Sequence, residues 1–144
     1  MSKRGFSKVI LAVDGSEVSL RAADHAARIA KQDGAELLAL HVVPVPPFEV
    51  PGEIADSYAN ARKNAKKWMK DVEDIATRNG IGVRTEILVG AYSVVDAIVS
   101  YAETTKADLI VTGTRGTTPS KRIVVGSVAS GLVEYAGCAV LVIR

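Results

Sequence analysis

The chain has 144 residues, of which 48% are hydrophobic and 24% are charged, and its formal net charge is +2 at pH 7. This length predicts a single domain, residues 1–144, with enough apolar residues for a sizeable core. The small net charge disfavours a nucleic-acid partner, no apolar run is long enough to span a membrane, and the single cysteine, Cys138, excludes an internal disulfide bond.

Short apolar runs alternate with helical patterns in the first part of the chain. Lys8–Val13 (KVILAV) is typical of a strand buried on both faces, and the turn sequence DGS ends it. Ser16 can cap the helix that follows, and Gly34 is a natural stop for that helix. Ala35–Val43 predicts a second strand, which ends at Pro44 because proline cannot donate a ladder hydrogen bond.

The alternation continues to the end of the chain. Ser93 resembles a capping residue, since Asp96 follows it by three positions. The order β-α-β-α-β-α-β-α-β predicts an α/β fold, an open five-stranded and mostly parallel sheet with helices on both faces. The remaining predicted elements are a helix over Glu53–Asn79, a half-exposed or edge strand over Ile81–Val89, a helix from Ser93 to about Thr104, a strand over Ala107–Thr112, a helix over Val128–Ala136 stopped by Gly137, and a strand over Ala139–Ile143.

One stretch, Gly113–Ser127 (GTRGTTPSKRIVVGS), carries three glycines and three cations and no acidic residue. Its first two glycines permit positive φ and let backbone N–H groups converge on phosphate oxygens. Gly126 and Ser127 open a helix whose first N–H groups are unpaired, and Ser127 can cap it or offer its hydroxyl to a phosphate. The stretch predicts a phosphate site, and the alternative is a solvated basic connection. No P-loop signature occurs, and no G-x-G-x-x-G follows a strand.

The spacing of these glycines matches the G-x2-G-x9-G-[ST] signature of the ATP-binding universal stress proteins. The chain also resembles that family in the segments KVILAVDGSEVS, LLALHVVP, VGAYSVVDAI and CAVLVIR, which occur in the family's order. The resemblance implies a Rossmann-like sheet of strand order 3-2-1-4-5, of the adenine nucleotide alpha hydrolase type, that binds ATP with Mg²⁺. Ligands of such sheets bind where the strand order reverses, which is here between the first and fourth strands.

The resemblance also implies which residues form the nucleotide site. It places adenosine near Asp14, the adenine beside the backbone of Val42, and the triphosphate on the glycine stretch. Asp14 is also a candidate metal partner, acting indirectly through the phosphates or water. The alternative for Asp14 is a simple Asx-turn, and for Val13 and Val42 it is core packing. The implied nucleotide-binding set is Ala12, Val13, Asp14, Val42, Thr112, Gly113, Thr114, Arg115, Gly116, Gly126, Ser127 and Val128.

No catalytic constellation is visible in the sequence. His25 falls within the first helix and His41 within the second strand, so neither is expected at the crevice. With the resemblance, the sequence favours a nucleotide-dependent sensor or switch in a stress response, and it leaves slow ATP hydrolysis open. The alternatives are a regulatory interaction protein of the same fold that binds no nucleotide, and a flavin-binding electron carrier.

The last predicted strand, Ala139–Ile143, is apolar and no helix follows it in the sequence. An uncovered apolar edge invites pairing with a second strand, so we expect a homodimer through this strand, and the resemblance implies the same. The first residues form no apolar signal-peptide segment, so we expect a cytoplasmic protein.

Overall fold

The computed structural model describes residues 5–46, 53–114 and 126–144. Strands and helices alternate through these residues in the order that the sequence predicts. No helix among them combines the length and the hydropathy that crossing a membrane requires. The elements are β1 (Lys8–Ala12), α1 (Glu17–Asp33), β2 (Glu36–Pro44), α2 (Glu53–Arg78), β3 (Arg84–Ala91), α3 (Val94–Thr105), β4 (Leu109–Gly113), α4 (Ser127–Tyr135) and β5 (Ala139–Ile143).

The five strands form one sheet in the order β3-β2-β1-β4-β5. All neighbouring strands are parallel, and Leu11 at the centre pairs with Ala39 of β2 on one side and Val111 of β4 on the other. The predicted parallel sheet and its strand order are therefore confirmed. Since the chain runs outward from β1 to β3 and then returns to β4, the order reverses between β1 and β4, which opens a crevice at their carboxyl ends.

Two apolar layers cover the two faces of the sheet. Val9 and Leu11 of β1 belong to the layer that α1 and α2 complete, whereas Ile10 packs in the layer of α3 and α4. These three side chains are fully buried, and each such burial contributes roughly 1.5–3 kcal/mol. The buried face of α1 is a stripe of small side chains, which lets the helix lie close to the sheet: Ala22, Ala23, Ala26, Ala27 and Ala30.

The predicted caps of the first and third helices are present. Ser16 precedes α1, and its hydroxyl oxygen accepts a hydrogen bond from Ser19 N at 3.1 Å. Gly34 ends α1 in the left-handed conformation, with φ 66°. Ser93 precedes α3 and accepts from Asp96 N at 3.1 Å. These caps were predictable because each depends on residues within three or four positions of one another.

The third strand begins later than the sequence predicts, at Arg84 and not at Ile81. The amides before it close the end of α2: Gly80 N donates to Thr77 O at 2.9 Å, and Ile81 N donates to Ala76 O at 3.0 Å. These donors are committed to the helix end and are unavailable to a strand. The prediction of an edge strand is confirmed, because β3 lies at one end of the sheet.

Two other predicted stops are displaced. β2 includes Pro44, which pairs with Ala91 after a register shift that follows Val43. The shift places proline, which lacks an N–H, at an irregularity where a ladder bond is already interrupted. Helix α4 ends at Tyr135, and its C-cap is Ala136 in an extended conformation, with φ −67° and ψ 139°. Gly137 was therefore wrongly predicted as the residue that stops this helix.

Candidate functional site

A cavity of about 270 Å³ lies at the carboxyl ends of β1 and β4, where the strand order reverses. The end of β2 and the first residues of α3 and α4 complete its walls. The structure brings together around this cavity every member of the predicted set that it describes: Ala12, Val13, Asp14, Val42, Thr112, Gly113, Thr114, Gly126, Ser127 and Val128. The two other predicted members, Arg115 and Gly116, lie outside the described residues.

The sequence missed six lining residues, which are Ser19, Leu40, His41, Val94, Ile98 and Ala129. Most are apolar residues of helices and strands, and they carry no motif that would separate them from the core. His41 was expected away from the crevice, and that expectation is wrong. Leu40 pairs with Ala12, the last residue of β1, so His41 lies level with the turn that leaves β1. Aligning the predicted ends of β1 and β2 in the sequence would have placed His41 beside the turn after β1, and therefore at the crevice.

The turn after β1 is organised by Asp14. Its Oδ1 atom accepts hydrogen bonds from Ser16 N at 3.0 Å and from Ser16 Oγ at 2.5 Å. The Asx-turn that the sequence offered as an alternative is therefore formed. Asp14 nevertheless lines the cavity, and its Oδ2 atom has no hydrogen-bond partner among the described residues. One carboxylate oxygen thus builds the turn, and the other is available to a ligand.

Val13, the residue before Asp14, is held to β2 by two hydrogen bonds. Its N–H donates to Leu40 O at 2.9 Å, and its carbonyl oxygen lies 2.6 Å from Nδ1 of His41. Trp68 of α2 contacts the His41 ring edge to face, with ring centroids 5.1 Å apart and an interplanar angle of 85°. The backbone that forms this wall of the cavity is therefore supported by side chains from β2 and α2.

Gly113 at the end of β4 has a packing role that the sequence did not predict. The glycines with positive φ among the described residues are Gly15, Gly34, Gly80 and Gly90, so Gly113 does not use its freedom to adopt that conformation. A Cβ at position 113 would instead lie 2.5 Å from Cγ1 of Val18. Glycine at this position allows α1 to pack directly against the end of β4.

The start of α4 differs from the starts of α1 and α3. Gly126 occupies the N-cap position and offers no side-chain hydrogen bond, so of the two roles that the sequence offered for Ser127, the capping role is excluded. Ser127 is instead the first helical residue. The first N–H groups of a helix have no acceptor within it, and they carry the positive end of its dipole. Because Ser127, Val128 and Ala129 line the cavity, this end of the helix suits an anionic group.

The two ends of the glycine stretch meet beside the last strand. Thr114 N donates to Ile143 O at 2.7 Å, and Gly126 N donates to Thr114 O. The described residues on the two sides of this stretch, Thr114 and Gly126, therefore lie together at the rim of the cavity.

Charged groups are few in the described part of the site. Asp14 is the one acidic residue in the lining, and no cluster of three His, Cys, Asp or Glu residues among the described residues could hold a metal ion by itself. Cys138 lies away from this cavity in the layer of α3 and α4, and burial raises the pKa of its thiol. Its environment agrees with a core residue and disfavours a reactive thiolate.

Comparisons with known proteins relate this architecture to one family. The family model for the universal stress proteins matches residues 5–144. The universal stress protein MJ0531 of Methanocaldococcus jannaschii is 40% identical over 142 residues, which cover 96% of this chain and 82% of that protein.

Solved structures agree in fold. The universal stress protein UspA from Lactobacillus plantarum has a TM-score of 0.87 and 31% identity, with 97% of this chain and 99% of that chain covered. A universal stress protein solved in complex with cAMP has a TM-score of 0.65 and 29% identity, with 97% and 98% covered.

Proposed function

We propose that this chain, which belongs to the universal stress protein family, binds ATP with Mg²⁺ in the cavity between β1 and β4 and acts as a nucleotide-dependent sensor or switch in a stress response. The proposal rests on one observation: separate stretches of the chain converge on one cavity at the reversal of strand order. These stretches are the turn at Asp14, the end of β2 and both ends of the glycine stretch. The relative solved with cAMP supports an adenine nucleotide as the class of ligand.

The cavity divides into an apolar and a polar part. Leu40, Val94 and Ile98 form apolar wall, which suits the faces of a nucleobase. In our proposal the free Oδ2 of Asp14 accepts from the ribose hydroxyls. The cavity volume of about 270 Å³ is near the lower end of ligand pockets, roughly 300–1,000 Å³, so it suits the nucleoside part of the ligand.

The phosphates belong, in this proposal, at the start of α4. Its unpaired N–H groups and the hydroxyl of Ser127 supply donors there, and the cation Arg115 and the signature glycine Gly116 complete the proposed set. Magnesium commonly binds through phosphates and water with one or two carboxylates. In that mode Asp14, the single carboxylate of the described lining, would reach the ion only through water or the phosphates, since its free Oδ2 accepts from the ribose hydroxyls in our proposal.

Binding, and not rapid turnover, is the proposed activity. Phosphoryl transfer requires a residue that orients the attacking water and groups that hold the metal. In the described lining, Asp14 alone carries a carboxylate, and one of its oxygens is occupied by Ser16. We therefore place any hydrolysis of ATP by this chain as a slow, secondary activity.

Calorimetry with ATP and Mg²⁺ tests the proposed binding, with Asp14→Asn as the variant of the site. An asparagine oxygen can still accept from Ser16 and keep the turn, but the negative charge is lost. Since hydrogen bonds to a charged acceptor are about twice as strong as neutral ones, we expect the affinity to fall about five- to tenfold.

The matched control is Asp24→Asn, because Asp24 lies on α1 outside the cavity lining and bonds Arg28 and Asn79. This variant should bind ATP as the unchanged protein does. If the unchanged protein gives no binding heat with ATP, ADP or AMP at several temperatures, with or without Mg²⁺, nucleotide binding is not its function.

We also propose that the protein forms a homodimer through β5. This strand ends the sheet beside β4, so its outer edge has no partner strand in the chain as described. Val133 and Tyr135 of the adjacent α4 are 60% and 64% exposed, respectively. An apolar strand edge flanked by exposed apolar side chains favours association with a second copy.

A further inference from the structure

We infer that His41 is a positioning residue of the cavity: its Nδ1–H holds the Val13 carbonyl oxygen and thereby fixes the wall that carries Asp14, with Trp68 as its support. This inference rests on the proposed nucleotide function, because its main consequence is an effect on nucleotide affinity. The bond between His41 and Val13 can be tested separately.

The protonation of His41 follows from its partner. Nδ1 lies 2.6 Å from the carbonyl oxygen of Val13, and a carbonyl oxygen can only accept a hydrogen bond. Nδ1 must therefore carry a proton. The neutral ring is then the Nδ1–H tautomer, which a ring free in solution does not adopt exclusively, so the Val13 carbonyl selects the chemical state of the side chain.

The position of this bond explains why it should matter for a ligand. The paired residues of β1 and β2 end at Ala12 and Leu40. Beyond them, the backbone hydrogen bond from Val13 N to Leu40 O is followed by the side-chain bond from His41 to the other polar group of Val13. The next residue is Asp14, whose carboxylate lines the cavity. The His41 side chain therefore supplies the next hydrogen bond between these two segments at the point where the backbone ladder ends.

Trp68 restrains the same turn from the side of α2. Its indole lies edge to face with His41, and a Cβ on Gly15 would lie only 2.3 Å from its Cε2 atom. Trp68 thus contacts both the ring that holds Val13 and the glycine that follows Asp14. Because it is the single tryptophan of the chain, its fluorescence reports on the surroundings of this one side chain, which include the turn and the neighbouring core.

Three variants separate positioning from simple packing. His41→Leu fills much of the same volume but cannot donate to Val13. His41→Asn places an amide nitrogen near the former Nδ1 and can restore the donor, whereas the longer amide of His41→Gln extends past it. We expect ATP affinity to fall about five- to tenfold in the leucine and glutamine variants and to stay within about twofold in the asparagine variant. His25→Leu, on the exposed surface of α1, is the control and should bind normally.

Nitrogen NMR of the histidine rings tests the bond without a nucleotide. In the unchanged protein, His41 should show a protonated Nδ1 at neutral pH, and adding ATP should change the fluorescence of Trp68. A spectrum with the proton on Nε2 alone would overturn the inference, whatever the affinities show.

The outcomes distinguish this inference from the proposed function. If the unchanged protein binds ATP and all three His41 variants bind equally well, His41 does not position the site, although the nucleotide function stands. If the leucine variant does not fold, a glutamine variant that folds and binds as tightly as the asparagine variant would overturn the inference. If the unchanged protein binds no nucleotide, the proposed function fails, and the NMR result alone decides whether His41 holds Val13.

Discussion

Gly15 and Gly34 have similar backbones but different surroundings. Both lie in the left-handed region, with φ 84° and 66°. A Cβ on Gly15 would overlap the indole of Trp68 at 2.3 Å, whereas a Cβ on Gly34 would meet nothing within 4 Å. Comparing substitutions at these two positions therefore separates the free-energy cost of a side chain in the left-handed conformation from the free-energy cost of displacing Trp68.

We expect Gly34→Ala to lower the free energy of unfolding by about 1–2 kcal/mol, the usual cost of a left-handed L-residue. Gly15→Ala adds a steric overlap and should cost about 1–3 kcal/mol more. Chemical denaturation of both variants measures the difference. Equal losses would mean that Trp68 moves aside freely, and they would remove its role as a support of the Asp14 turn.

Residue roles were predictable from the sequence where they depend on neighbouring positions. The capping role of Ser16 and the turn at Asp14 depend on contacts within three residues. The need for glycine at 113 arises from Val18, and the role of His41 arises from Val13. Both of these depend on how the chain packs in three dimensions, so neither could be deduced from the spacing of residues alone.

At the scale of single elements, the starts of α1, α3 and α4 divide into two kinds. Serine side chains close the first turns of α1 and α3, which satisfies one amide in each. Helix α4 begins at Gly126 without such a bond. A serine cap stabilises a helix start by roughly a few tenths of a kcal/mol relative to a glycine cap, but the start of α4 still lacks a side-chain acceptor, which an anionic ligand can supply.

Hydrogen exchange should show this replacement directly. With saturating ATP and Mg²⁺, we expect the amides of residues 127–129 to exchange more slowly, because phosphate oxygens then accept from them. The first residues of β3, 84–86, lie at the far edge of the sheet and should exchange unchanged. If calorimetry shows binding while the amides of 127–129 keep their rates, the phosphates do not lie at the start of α4.

The elements themselves were predictable because continuous apolar runs and helical stripes are strong patterns in this chain. The residues at which the elements begin and end were less predictable. The sequence predicts that a strand begins at Ile81, and only the hydrogen bonds of residues 79–81 back to Ile75, Ala76 and Thr77 assign these residues to the end of α2. Helix α4 is capped at Ala136 without a glycine, and no sequence pattern predicts the extended backbone of that residue.

At the scale of the whole molecule, the two edges of the sheet differ. The β3 edge begins with exposed polar residues, and Arg84 forms an ion pair of 3.2 Å with Glu36 of the neighbouring strand. The β5 edge is apolar, with Val140, Leu141 and Val142 partly buried. Charged residues protect an edge from pairing, so association is expected at β5.

Sedimentation at micromolar concentration should therefore give a dimer, and Val142→Lys should shift it toward the monomer by placing a charge in the proposed contact. Tyr92→Ser is the matched control, since Tyr92 is 93% exposed near the opposite edge. Its removal should leave the dimer intact. A monomer in the unchanged protein, or an equal effect of both variants, would contradict assembly through β5.

Each of the two core layers contains one residue type that occurs once in the chain and can serve as a spectroscopic probe. Trp68 packs on the face covered by α1 and α2, and Cys138, the single cysteine, packs on the face covered by α3 and α4. A thiol-reactive dye on Cys138 would thus form a donor–acceptor pair with the native indole, spanning the sheet. Resonance energy transfer could then follow separation of the two faces during unfolding with no engineered residue, although the raised pKa of the thiol calls for alkaline labelling conditions.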